Sequence, residues 1–295
     1  MKKQVPASLC PPGSAAYLQD MGIHKFKGFA ARSGAVALLS IGMIAGFAGA
    51  PAMAQTHTAS TTTSYTVLGD SYSAGSGGGE EFGGCGQSPH GYGTWVAAQI
   101  GAPVSNLACA GFTTEQVRTL EVPLLAPNTT LITLTAGGND IGWTAAITAC
   151  LAPTSTEAIC KSAVANSIYL MRSLPKSVAS MLKAIKAKAP GARVLYLGYP
   201  RLFEPANMAA LGYTPTQISG TRTLNAAADL LNGVLAVSAL SNRTAFVPVA
   251  YLFRGHGVPS ASPWLTYPGG PNPFAFHPNA DGYRYGYAAA LRPFL

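Results

Sequence analysis

Five short apolar runs constrain this chain more than any other feature: "YTVL" (65–68), "PVSNLA" (103–108), "TLITLT" (130–135), "RVLYL" (193–197) and "TAFVPV" (244–249). All but the weaker second run are continuous rather than alternating, and such strands suit a parallel sheet covered on both faces. Helical patterns with legible starts lie between them. Thr113-Thr-Glu-Gln116 and Thr214-Pro-Thr-Gln217 match the capping box, and Pro215 falls at a first helical position, where a missing N–H removes no bond. Val178, Leu182, Ile185 and Ala189 share one face of 175–189 before Pro190-Gly191 stops it, and Leu224, Ala228, Leu231 and Leu235 form a second stripe. Both stripes are core surface rather than cofactor sites. The alternation predicts an α/β fold: a three-layer α/β/α sandwich around a five-stranded parallel sheet.

The fold starts near Tyr65, which leaves a long N-terminal segment. Lys25, Lys27 and Arg32 precede an uncharged run that ends in the small-residue site Ala52-Met53-Ala54, the pattern of an export signal over 1–54 with cleavage before Gln55. An uncleaved membrane anchor is the alternative; the Gly and Ser content of the run and the Ala-x-Ala site argue against it. Residues 55–64 then form a polar linker, and 65–295 suits one well-buried domain of secreted protein. The leader holds five of the 19 Lys+Arg and one of the 11 Asp+Glu, so the net charge of +8 falls to +4. The remaining basic residues are scattered, densest at Lys183, Lys186 and Lys188 on one amphipathic stretch, and no aromatic-interleaved basic stripe appears. Nucleic acid is not an implied partner.

After Cys10 leaves with the leader, Cys85, Cys109, Cys150 and Cys160 remain, an even number in an exported chain. Four cysteines permit three connectivities. The favoured one joins Cys85 to Cys109 and Cys150 to Cys160, each bridge closing a local loop. A metal site is the alternative, but no Cys-x-x-Cys, His-x-x-x-His or His-Glu pair accompanies these residues.

In an open parallel sheet, reactive groups gather beyond the carboxyl ends of the strands. The first run ends in "GDSYS" with Ser71, the second leads to "AGFT" with Gly111, and the third ends in "GGND" with Asn139; "HPNADGY" near the C-terminus carries His277. Each block alone is ordinary turn chemistry. Together and in this order they resemble the SGNH (GDSL-type) hydrolases, named for a Ser, a Gly, an Asn and a His in four such blocks, and most of all the small secreted bacterial esterases and lipases of that family, which carry sequential disulfides. The resemblance implies a flavodoxin-like fold, no cofactor, and hydrolysis of carboxylic esters through an acyl-serine. It makes Ser71 the nucleophile and His277 the general base, with the N–H groups of Ser71 and Gly111 and the Asn139 amide as oxyanion donors. One position departs: the family commonly carries Asp three residues before the His, and Phe274 stands there. The expectation is a Ser–His dyad in which the main-chain carbonyl of Phe274, or of a neighbour in "GGPNPF", orients the imidazole; Asp281 is a poor substitute.

Other readings compete at several positions. Ser73 is a rival nucleophile, since Ser71-Tyr-Ser73-Ala-Gly75 mimics the Gly-x-Ser-x-Gly elbow with its first glycine replaced. Asp70 reads as a loop anchor, and Asn139 doubles as a cap for the helix after the third strand. His90 and His256 have no motif around them, and His57 belongs to the linker. Glycines 77–79 with Tyr72, Phe82, Trp143, Tyr199 and Phe203 are candidates to line an apolar cleft, which favours lipid esters, then acetylated polysaccharide and phospholipid acyl groups. A monomer in transient contact with lipid surfaces is the expectation. The missing aspartate motivates the alternative of a catalytically silent surface-binding module.

Overall fold

The computed structural model describes residues 63–270 and 272–295; the leader, the linker up to residue 62 and His57 lie outside the described residues. Five strands form one sheet: β1 (Tyr65–Gly69), β2 (Val104–Asn106), β3 (Leu131–Thr135), β4 (Arg193–Leu197) and β5 (Ala245–Val247). Their order is β2-β1-β3-β4-β5, and every neighbouring pair is parallel. The chain leaves β1 toward one edge and returns past it to β3, so the direction of winding reverses between these two strands. That reversal opens a crevice at their carboxyl ends, where Ser71 and Asn139 follow.

Strand alternation sorts the side chains between two cores. Tyr65, Val67, Leu195 and Leu197 face one side, with Tyr92 and Val96 of α2 (Tyr92–Ile100) and Tyr283, Tyr287 and Leu291 at the C-terminus. Leu68, Ile132, Leu134, Val194 and Tyr196 face the other, against Val178, Leu182 and Ile185 of α6 (Leu174–Lys188) and Leu231 and Leu235 of α7 (Pro215–Ser241). The first stripe read from the sequence lies wholly on this core, whereas the second divides, Leu231 and Leu235 here and Leu224 in the opposite core. β1 and β3 are buried along their whole length, as continuous apolar strands require. The outer strands are shorter than their apolar runs; β5 stops at Val247 because Pro248 has no N–H for the ladder. The fold is the three-layer α/β/α sandwich expected.

The remaining helices position the site. α1 (Ser71–Ala74) and α3 (Thr114–Gln116) are single turns directly after β1 and β2, α3 running on into a π-type turn, Val117–Glu121. Both capping boxes form, at Thr113 with Gln116 and at Thr214 with Gln217. α4 (Trp143–Leu151) and α5 (Glu157–Leu170) follow β3, and α8 (Ala288–Leu291) ends the chain after a second π-type turn, Gly282–Tyr287. The disulfides are Cys85–Cys109 and Cys150–Cys160, the sequential pairing. The first ties the loop after α1 to the end of β2, and the second joins α4 to α5. With all four sulfurs bonded to each other, none is a thiolate free to hold a metal.

Candidate active site

Ser71 owes its place to a turn only glycine can make. Gly69 sits at φ +117°, and a Cβ there would stand 2.0 Å from the Thr135 carbonyl oxygen of the adjacent strand. The chain turns sharply off β1 and starts α1 at Ser71, with Asp70 as its N-cap. Asp70 Oδ1 accepts from the Tyr72 N–H (3.0 Å) and the Thr135 hydroxyl (2.6 Å), and Oδ2 from the Tyr199 hydroxyl (2.5 Å). Burial pushes this carboxyl up, against the three hydrogen bonds. Asp70 is therefore the anchor expected, binding β1, β3 and the Tyr199 loop together beneath the serine. Ser73 is eliminated as a rival: its hydroxyl is wholly buried among Tyr92 Oη (2.9 Å), Thr135 Oγ1 (2.8 Å) and the Thr135 N–H (2.8 Å).

His277 arrives from the other end of the chain. Its Nε2 lies 2.7 Å from Ser71 Oγ, and its Nδ1 lies 3.1 Å from the Ala275 carbonyl oxygen. A carbonyl can only accept, so Nδ1 carries the proton and Nε2 is left to receive the serine O–H. This corrects the expectation for Phe274, whose carbonyl accepts from the His277 N–H at 3.2 Å and from the Thr266 hydroxyl. Those bonds close the turn that carries the histidine, and the turn brings the next carbonyl, that of Ala275, onto the ring. Burial lowers the His277 pKa from its ordinary 6.5, opposed by the Ala275 and Phe274 carbonyls and by the charge of Glu81. Asp281 begins the C-terminal turn and makes no bond to the ring.

The three groups expected to act as oxyanion donors line one cleft. Ser71 is the first residue of α1, so its N–H has no intrahelical acceptor. Gly111 takes a φ of +84°, with nothing within 4 Å of where a Cβ would stand. Asn139 Nδ2 donates one proton to the Phe112 carbonyl (2.9 Å), which fixes the amide and leaves its second proton toward the cleft. Asn139 is not a helix cap; Gly142 holds that position for α4. The sequence reading missed Asp140, whose carboxylate accepts from the Thr114 N–H (2.9 Å) and hydroxyl (2.5 Å) and so locks the Asn139 block to the Gly111 block. Its neighbourhood in "GGND" was the available signal.

The cleft has a volume of about 430 Å³ and is lined by Ser71, Gly111, Asn139 and His277 together with Tyr72, Trp143, Ile147, Tyr199, Leu202, Leu231 and Phe276. Tyr72, Trp143 and Tyr199 thus line it as expected, whereas three expectations need correction. Phe82 is half-exposed and pairs with Gln87, Phe203 packs edge-on against Phe276 in the core, and none of glycines 77–79 lines the cleft, Gly77 lying against His277 and Gly78 against Gly75 and Ser88. Gly77 and Gly78 serve close approach rather than an adjustable wall, and Gly79 serves a positive φ of 90°. His90 pairs at 3.6 Å with Glu80, and His256 stacks on Trp264 at 3.7 Å, both away from the site.

Comparison with known proteins agrees with this arrangement. A family model described as GDSL-like lipase/acylhydrolase matches residues 67–285. A lipase of Streptomyces rimosus is 34% identical over 233 residues, 78% of this chain and 85% of that protein. The crystal structure of an extracellular lipase from Streptomyces rimosus superposes with a TM-score of 0.72 at 33% identity, covering 79% of this chain and 99% of that one. Phospholipase A1 from Streptomyces albidoflavus gives the same figures, TM-score 0.72 at 33% identity over 79% and 99% of the two chains. With family blocks, sheet order and relatives in agreement, the chain belongs to the GDSL-like lipase/acylhydrolase family and is an ester hydrolase.

Proposed function

We propose that the enzyme cleaves lipid carboxylic esters with a Ser71–His277 dyad, and the observation that carries this reading is the 2.7 Å contact of the two side chains in the lining of an apolar cleft. Ser71 Oγ attacks the ester carbonyl carbon while its proton passes to His277 Nε2. The carbonyl electron pair moves to oxygen, and that oxyanion accepts from the N–H groups of Ser71 and Gly111 and from Asn139 Nδ2. The Ala275 carbonyl holds the Nδ1 proton and steadies the imidazolium, less strongly than a carboxylate would, which leaves more of the work to the oxyanion donors. Collapse breaks the ester C–O bond, and the departing alkoxide takes the Nε2 proton. Water, giving a proton to His277 Nε2, then attacks the acyl-serine carbonyl; the bond from the acyl carbon to Ser71 Oγ breaks, His277 returns the proton to Oγ, and the acid leaves.

Ser71 and Gly111 line the cleft together with the apolar side chains of Trp143, Ile147 and Leu231. Such walls favour an acyl chain over a hydrated glycan, which places triglyceride-type and phospholipid acyl esters ahead of acetylated polysaccharide. The disulfides and the extracellular relative support secretion after cleavage near Ala54. A fluorophosphonate probe tests the nucleophile: it labels the wild type and not Ser71→Ala. A panel of esters from acetate to long chains and phospholipids tests the substrate, with turnover expected to rise beyond acetate; preference for acetylated glycans overturns the lipid reading.

A further inference from the structure

Phe274 leaves the His277 ring without a carboxylate, yet the loop that carries the ring is tied to one. Glu81 Oε1 accepts from the Gly77 N–H (2.9 Å), the Gly79 N–H (3.1 Å) and Asn272 Nδ2 (2.9 Å). The first two belong to the loop behind α1, and the third to the histidine loop, 191 residues away in sequence. Asn272 passes the constraint on, its Oδ1 accepting from the Phe274 N–H at 2.8 Å, and the Phe274 carbonyl accepts from the His277 N–H. Gly77 is where the two loops touch. A Cβ on it would come within 2.8 Å of both His277 Cβ and the Pro278 carbonyl oxygen, so the residue that hands its N–H to Glu81 also backs the histidine. We propose that Glu81 is the acidic partner of this dyad, a positioning residue that pins the histidine loop behind the nucleophile and sets a negative charge across Gly77 from the imidazole. The inference rests on the reading of Ser71 and His277 given above.

The charge is present at working pH. Burial acts to raise the Glu81 carboxyl, but bonds from Asn272 and from the backbone N–H groups of Glu81, Gly79 and Gly77 outweigh it and hold the group below the usual range. Other groups face His277 without competing for this role. Tyr72 lies against the ring at 4.9 Å with its hydroxyl on the Phe276 carbonyl, and Tyr283 bonds the Ser76 carbonyl; burial raises both phenols, so they stay neutral. Asp70 spends its oxygens on Tyr72, Thr135 and Tyr199. Glu81 is the carboxylate whose charge favours imidazolium here.

The test is kcat and KM against pH on a p-nitrophenyl ester for the wild type, Glu81→Gln and Asn272→Ala, with His277→Ala as control. Gln keeps an acceptor for the backbone N–H groups and loses the charge. The acid limb of kcat/KM is expected to move down by about half a pH unit, with kcat about threefold lower and KM unchanged. Asn272→Ala keeps the charge and cuts the tether, so kcat falls while the acid limb stays in place. A Glu81→Gln profile that superimposes on the wild type, with kcat within about twofold, overturns the proposal. The wild type offers a second reading that needs no variant: added salt screens a half-exposed charge, so the acid limb must move down with ionic strength, and a limb indifferent to salt overturns the proposal as well. If His277→Ala retains turnover, the dyad itself is wrong; if only Glu81→Gln is silent, this inference alone fails.

Discussion

His277 is the residue on which pH acts first. Its burial lowers the imidazole pKa below 6.5, so the neutral form that accepts the Ser71 proton persists to more acid pH than in a free histidine. The acid limb of kcat/KM is therefore centred below 6.5, and a pH–rate profile with its limb above that value contradicts the site as described. At the oxyanion, Asn139→Ala removes a donor already fixed by the Phe112 carbonyl, and kcat drops by about 10²- to 10³-fold with KM little changed. Ser73→Ala behaves differently. It leaves buried partners at Tyr92 and Thr135 short of a bond and costs about 1–3 kcal/mol of stability, while Ser71 still reacts with fluorophosphonate. The pairing of Ser71 with His277 was legible because their blocks carry chemically distinctive side chains in a fixed order. Ala275 was not, since a backbone carbonyl has no signature in the sequence and the turn through Phe274 decides which one meets the ring. Glu81 and Asn272 were hidden for another reason: they act together across 191 residues, and neither stands in a motif.

Among the elements, α4 carries the cleft wall through Trp143 and Ile147 and is held at its far end by Cys150–Cys160. The bridge packs on α7 at Gly220, where a Cβ would lie 3.0 Å from the Cys160 sulfur. Opening it with Cys150→Ala and Cys160→Ala frees a loop of sequence separation 10, for which chain entropy gives about 3 kcal/mol. Thermal unfolding is expected to come earlier by a corresponding amount, and KM for long-chain esters to rise more than KM for acetate because the wall loosens. Equal changes for both substrates would dissociate α4 from acyl binding. At this scale the sequence was a good guide to α6 and α7, each marked by an apolar stripe, with a stop at Pro190-Gly191 after the first and a capping box before the second. It was a poor one to α1 and the two π-type turns, and at α3 it marked the capped start but not the one-turn length, since elements of one turn are specified by tertiary contacts such as Asp140 to Thr114 rather than by periodicity.

The whole molecule is organised around carboxyls buried under its strand ends, and this gives its stability a pH dependence of definite sign. Glu121, in the π-type turn after α3, accepts the Gly69 N–H at 2.7 Å through Oε2, while Oε1 is buried with no hydrogen-bond partner. Burial, the largest cause, and the nearby Asp70 charge push this carboxyl well above the usual range, against the Gly69 and Cys109 N–H groups. A carboxyl raised in the folded state binds more protons there than in the unfolded chain once pH exceeds the unfolded value near 4.5, so stability declines as pH rises from that point toward the folded pKa. Asp70, raised by burial as well, adds to the decline with the same sign. Glu121→Gln keeps the acceptor for Gly69 and resembles the protonated acid, but it has nothing to ionise. The variant and the wild type should therefore unfold at nearly the same denaturant concentration at pH 4, with the variant gaining steadily between pH 5 and 8. A constant offset across that range, or a wild type that grows more stable with pH relative to the variant, would mean that Glu121 is held ionised beneath the nucleophile, and the electrostatics of the turn would have to be rebuilt around two buried charges.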